Sequence, residues 1–191
     1  MVKYLNQHPK WNSRDYWPTL DHRAAEALAP FVAGKSYGEP AWGAGHLENL
    51  LTGIADCVWR SDIEPQQEGC VTKNALDLTV EDVYDCDVLI TNPPFDWKLL
   101  KPMLDHLPKL KPTWLLLPAD KMHTKQMAPY LDCCPEVVSV GRLKFFLDND
   151  ERLWDKDKQE FKKNSDPKIN FAWFMFDSGF EGHTKFYGRI T

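Results

Sequence analysis

Apolar and polar positions fall into two alternating rhythms along this chain. Short apolar runs at residues 88–90 and 171–176, and the mostly apolar stretches 113–117 and 137–143, read as strands. Elsewhere the apolar spacing widens to three and four. Leu20, Ala24, Ala27, Leu28 and Phe31 share one face of a helix, with Thr19 or Asp21 as its N-cap and Gly34 and Gly38 closing it. Leu47, Leu50, Leu51 and Ile54 carry a second helix reaching toward residue 57, after a glycine turn that follows a short strand. Asp96 caps a third, which runs to about Leu107 through Leu99, Leu100 and Met103, and another is expected near residues 124–133.

Residues 58–65 read as a second strand ending in acid, and residues 74–78 as the end of a third. The stretch 66–75 is too short for a full crossover helix, so that connection is trimmed, and residues 79–85 form a brief capped helix or turn. A final edge strand falls within residues 185–189. Strands alternating with helical segments predict a mostly parallel α/β sheet with helices on both faces. At 191 residues, one domain (1–191) with a full core is expected.

The run 88–90 ends in Asn92-Pro93-Pro94-Phe95. Proline lacks an N–H and fixes φ, so the pair stops the strand and stiffens the turn after it. One amide side chain, the carbonyls of Asn92 and Pro93, and one exposed ring are left at a rigid strand end. Ligands of open α/β sheets bind at such carboxyl ends. The set suits a planar base with an exocyclic amine, whose N–H groups two oxygens accept while Phe95 stacks on its face.

Composition narrows the field. Apolar residues make up 43 % and charged residues 27 %, as in an ordinary globular chain. No stretch approaches a bilayer span, and Met1-Val2-Lys3-Tyr4-Leu5-Asn6 is no signal peptide, so a cytoplasmic protein is expected. A formal charge of −5 argues against strong non-specific nucleic-acid binding and leaves room for a local basic patch. The 8 Trp and 6 Tyr supply stacking surfaces if a base must be held. The five cysteines form no Cys-x-x-Cys, and the six histidines stand at no metal-ligand spacing from them, so reduced thiols and no metal site are expected.

Asn-Pro-Pro-Phe resembles the Asn/Asp/Ser-Pro-Pro-aromatic motif of the S-adenosylmethionine-dependent amino-methyltransferases. Glu39-Pro40-Ala41-Trp42-Gly43-Ala44-Gly45-His46-Leu47 is similar to their first cofactor motif, with Trp42 where a small residue is common and Ala44 where an acid is. Segment Trp17-Pro18-Thr19, the glycine turn, Asp62 and Asn92-Pro93-Pro94-Phe95 come in the same order as in the gamma arrangement of N6-adenine DNA methyltransferases. In its compactness the chain looks like the phage-encoded members.

That resemblance implies a three-layer Rossmann-like methyltransferase fold, a mostly parallel seven-stranded sheet with a reversed C-terminal hairpin. S-adenosyl-L-methionine is the implied cofactor, held by Trp17, Pro18, Thr19, Glu39, Pro40, Ala41, Gly43, Gly45, Asp62, Ile63, Asp77, Leu78 and Asn92. Glu39 lies near its methionine end, Asp62 (or else Glu64) accepts from its ribose, and Asp77 accepts from its adenine amine. Asn92, Pro93, Pro94 and Phe95 form the implied catalytic strand end. The implied target side is Phe95, Trp97, Lys144, Trp154, Lys162 and Lys163, the last three from the charged stretch 148–168, which has 7 acids and 6 bases.

The implied reaction is methyl transfer to the N6 amine of a flipped adenine in DNA. Asn at the first motif position favours adenine over cytosine. Two alternatives stand beside it. One is methylation of adenine in RNA or of glutamine in protein, which present the same planar amine. The other is a catalytically silent S-adenosylmethionine-binding protein, with Trp42 crowding the pocket. A monomer or homodimer is expected.

Overall fold

The computed structural model describes residues 17–145, 154–155, 160–161 and 169–189. Its frame is an eight-stranded sheet built from β1 (Ser36–Glu39), β2 (Asp56–Asp62), β3 (Val71–Thr72), β4 (Val88–Thr91), β5 (Thr113–Pro118), β6 (Glu136–Arg142), β9 (Asn170–Phe176) and β10 (Lys185–Tyr187). Across the sheet the order is β10-β6-β9-β5-β4-β1-β2-β3. All neighbours run parallel except β9, which lies antiparallel between β5 and β6. The reversed hairpin is therefore present. The eighth strand is β10, which adds to the outer edge of β6 in parallel.

Alternation along the central strands divides the core into two faces, as period-two side chains require. Val88 and Ile90 of β4, Trp114 and Leu116 of β5, and Trp173 of β9 pack on one side. There they meet α1 (Arg23–Val32) and α2 (His46–Leu51) through Ala24, Leu28, Val32, Leu47 and Leu51. Trp173 donates its indole N–H to the Ala24 carbonyl at 2.8 Å, so its one polar atom is satisfied where it is buried. On the other side, Leu115, Leu117, Phe174 and Phe176 meet Leu100 and Leu104 of α3 (Trp97–Leu110), while Leu89 meets Met103 and Leu107. Both faces are covered, giving three layers.

Several boundaries differ from the expectations. The first helix begins at Arg23, with His22 as N-cap, because Thr19 is engaged elsewhere; Asp21 accepts the Arg23 N–H at 3.2 Å. Gly34, at φ +73°, turns the chain after the helix, and Gly38 lies inside β1. The second helix stops at Leu51, since β2 already begins at Asp56. Residues 75–77 are a short 3-10 turn and not a strand end; the third strand is the two-residue β3 before it. In place of one helix over 124–133 stand a 3-10 turn (Ala119–His123) and the brief α4 (Ala128–Leu131).

Within the charged stretch, β7 (Trp154–Asp155) pairs antiparallel with β8 (Glu160–Phe161). The Trp154 side chain, Lys162 and Lys163 lie outside the described residues, as do residues 1–16. All five cysteines are free thiols; Cys133 bonds the Tyr130 carbonyl and Cys134 the Glu136 carbonyl, and burial pushes Cys134 up to about 12. Among the described residues, no helix is long and apolar enough to cross a membrane.

Candidate functional site

Strand order reverses between β1 and β4. From β1 the chain proceeds outward to β2 and β3, and from β4 it proceeds the other way to β5. Such a switch point opens a crevice at the carboxyl ends of the two strands. A cavity of about 330 Å³ sits there, lined by the loop leaving β1, the end of β2, the residues after β4, one face of α3 and the segment before α1. That volume falls within the range of small-molecule sites.

Eleven of the expected site residues line it: Trp17, Pro18, Thr19, Glu39, Pro40, Ala41, Gly43, Asp62, Ile63, Asn92 and Pro94. Residues from well-separated stretches of sequence are thus brought to one place.

The acidic side is built around the glycine turn. Asp62, at the end of β2, accepts the Gly43 N–H on Oδ2 and the Glu64 N–H on Oδ1, both at 2.8 Å. A carboxylate has about four acceptor sites, so two remain for a ligand's hydroxyls. Glu39 is only 2 % exposed, and its Oε2 is buried with no hydrogen-bond partner among the described residues. Burial holds its carboxyl well above the usual carboxylate range, and the neighbouring Glu48 and Asp62 charges push the same way, against Arg60. Arg60 is committed to Glu48, with Nη2 to Oε1 at 2.7 Å and Nε to Oε2 at 3.0 Å.

Trp42 shares that clamp. Its indole N–H donates to Glu48 Oε2 at 2.6 Å, so the ring is fixed as one wall of the cavity. Gly45 makes room for this ring. At φ +73° a Cβ there would stand 2.6 Å from Trp42 Cζ2. Gly45 does not itself line the cavity, contrary to its expected role beside a ligand. The unusual tryptophan and the second glycine are one packing unit, closed by a residue of α2 and one of β2.

On the opposite side, Asn92 comes directly after β4. Its Nδ2 donates to the Trp17 carbonyl at 2.6 Å and to Thr19 Oγ1 at 3.1 Å. Its Oδ1 is buried and has no partner among the described residues. A buried amide oxygen left unsatisfied costs about 1–3 kcal/mol, so a group that donates to it is favoured by a comparable amount.

Other expected residues lie elsewhere. Asp77 is exposed and Leu78 packs in the core beneath α3, because the short β3 brings residues 74–76 to the cavity instead. Asn74 caps the 3-10 turn by accepting the Leu76 N–H at 2.9 Å. Pro93 is buried outside the lining. Phe95 is half-buried and not free: ring centroids of Trp17, Phe171 and Phe145 lie 5.8, 5.5 and 6.3 Å away. A base stacking on Phe95 would meet a ring already packed by three neighbours. Trp97 packs edge-on to Tyr130, with Lys121 Nζ 5.8 Å from its centroid. Lys144 is exposed, and its backbone N–H donates to Asp21.

Sequence reasoning missed Lys98, Pro102, His46 and Asn74 as lining residues, and took Leu99 and Met103 for core alone. The helical spacing of Leu99, Pro102 and Met103 was a usable signal, since one α3 face carries all three.

Neither a protein-family model nor a curated protein sequence matches the chain. Solved structures do. The fold resembles that of an inferred RNA methyltransferase from Pyrococcus horikoshii, at TM-score 0.51 and 12% identity over 82% of this chain and 80% of that one. It also resembles a modification subunit of an inferred type I restriction enzyme from Vibrio vulnificus, at TM-score 0.50 and 12% identity, covering 93% of this chain and 48% of that one. A dimethyladenosine transferase from Plasmodium falciparum aligns at TM-score 0.45 and 17% identity, over 81% of this chain and 59% of that one. The chain thus spans less than two thirds of the length of two of these three structures. The architecture is the Rossmann-like methyltransferase fold.

Proposed function

We propose that this protein transfers a methyl group from S-adenosylmethionine to a planar exocyclic amine, the N6 amine of adenine in DNA. The observation that carries the reading is the buried Oδ1 of Asn92 at the strand end beside the cavity, without a partner among the described residues, with the amide nitrogen engaged on its other side. A neutral acceptor held in place without a partner suits an N–H that arrives with the target.

The residues present fit the cofactor. Among the described residues nothing pairs with one buried carboxyl oxygen of Glu39, which it offers to a cationic group, and Asp62 keeps two acceptor sites for ribose hydroxyls. Leu76, Leu99, Pro102 and Met103 offer an apolar wall to a flat ring. When bound, S-adenosylmethionine supplies an activated methyl on a positively charged sulfur. Everything else falls to the chain. Asn92 holds a target N–H at Oδ1 and aims the amine's lone pair, and proximity supplies much of the remaining acceleration. An amide oxygen is too weak a base to keep the proton, which leaves to water after transfer. Reaching a duplex base requires flipping it from the stack.

A second reading has an observation of its own. The Phe95 ring is already engaged by three others, which favours a protein that binds S-adenosylmethionine and transfers nothing. Labelled methyl transfer separates the two. The protein is incubated with labelled S-adenosylmethionine and unmethylated duplex DNA, RNA or protein extract, and the products are digested and analysed. N6-methyladenine in DNA is the expected result. Label in RNA adenine or protein glutamine moves the substrate, and binding without label anywhere favours the silent binder.

A further inference from the structure

We infer that the segment Trp17–Thr19 is a positioning device for Asn92, turning its amide so that the oxygen faces the target. This rests on the reading in which Asn92 accepts the target amine. The geometry admits one orientation. A backbone carbonyl can only accept, so the atom 2.6 Å from the Trp17 oxygen has to be the amide nitrogen. Turning the amide over would set two acceptors against each other at that distance. Thr19 Oγ1, at 3.1 Å, takes the second N–H, and Thr19 is 4 % exposed, so bulk water has little access to it. The amide nitrogen is engaged by two acceptors, and the oxygen has no partner among the described residues.

The segment is itself held. Pro18 fixes its own φ and restricts Trp17 to extended backbone, which sets the direction of the Trp17 carbonyl. The Trp17 ring lies 5.8 Å from Phe95 and 5.7 Å from Phe145. Trp17, Pro18 and Thr19 also line the cavity. A ligand in that cavity therefore packs against the same three residues that orient the amide, although Trp17 and Thr19 stand 75 and 73 positions from Asn92 in sequence. Cofactor occupancy and target acceptance meet in one segment.

The test uses Thr19→Val, which keeps the shape and removes the hydroxyl, and Thr19→Ser, which keeps the hydroxyl. Loss of one neutral hydrogen bond predicts a fall in kcat of about tenfold in Thr19→Val, with KM for DNA and the cofactor Kd within about threefold of wild type. Thr19→Ser is expected to transfer at close to the wild-type rate. Independently of activity, NMR reads proton exchange of the Asn92 side-chain NH2. It should quicken in Thr19→Val, stay slow in Thr19→Ser, and slow further when S-adenosylmethionine is added to wild type. Unchanged exchange and unchanged kcat in Thr19→Val would overturn the inference, and so would equal losses in both variants, since packing alone would then explain them. A wild-type protein that transfers no methyl defeats the proposed function, while the exchange measurement still judges the positioning of Asn92.

Discussion

The two sides of the cavity solve opposite electrostatic problems. On the β1–β2 side, Glu48 and Asp62 lie close enough to Glu39 to push its pKa up, Arg60 is already paired with Glu48, and Glu39 keeps an oxygen with no partner among the described residues. On the β4 side there is no charge in the acceptor at all, only an amide whose nitrogen is tied down and whose oxygen is not. An acidic pocket in low dielectric favours a cation and disfavours itself when empty. A neutral acceptor favours a neutral donor such as an aryl amine and leaves a carboxylate's attraction out of the choice. The division teaches that one crevice can hold a positively charged donor and a neutral acceptor side by side, because different strands supply the two chemistries.

The contrast is broken most completely at Asn92. Asn92→Ala removes the acceptor and should lower transfer at saturating cofactor by about 10²–10³-fold, the scale of losing one preorganised hydrogen-bonding group at a reacting centre. Asp62→Ala should act on the other side, weakening the cofactor by about 1–3 kcal/mol through lost bonds to its hydroxyls. It also releases the Gly43 N–H, so part of that loss is loosening of the turn.

Gly45→Ala tests the packing unit behind the acidic side. A Cβ at φ +73° and 2.6 Å from the Trp42 ring should destabilise the fold by at least about 1–2 kcal/mol, measured as a shift in denaturant midpoint. Adding Trp42→Leu should recover part of that loss, a non-additivity expected of residues in contact.

Smallest and most specific is a pH effect. Glu39 has its pKa raised in the folded chain by burial and by Glu48 and Asp62. Folding therefore takes up a proton between the unfolded and folded values. The associated stability is complete below the unfolded pKa and is lost as pH rises through the folded one. Glu39→Gln removes this dependence, so its stability relative to wild type should climb as pH rises above the ordinary carboxylate range.

Much of the site was legible in the sequence because strand ends are written locally. The apolar run 88–90 with two prolines after it placed Asn92, and the glycine turn after Glu39 placed the acidic loop. Less legible was anything set by contacts between distant segments. The sequence left open whether Trp42 crowds the pocket, and only the fold brings Arg60 of β2 to Glu48, whose carboxylate bonds the indole beside Gly45. Asp77 read as a strand-end acid because the pattern carries the third strand to residue 78, whereas β3 ends at Thr72 and residues 75–77 form a 3-10 turn. Phe95 read as exposed, and its burial depends on Phe145 and Phe171 from far along the chain.

The most direct test of a two-sided cavity is a paired measurement on wild type, Asn92→Ala and Asp62→Ala. Calorimetry gives the affinity for S-adenosylmethionine, and single-turnover transfer of labelled methyl to duplex DNA is read on the same samples at saturating cofactor. Affinity should fall only in Asp62→Ala, and transfer should collapse only in Asn92→Ala. Parallel loss of both quantities in both variants would contradict the division, because the cavity would then act as a single unit.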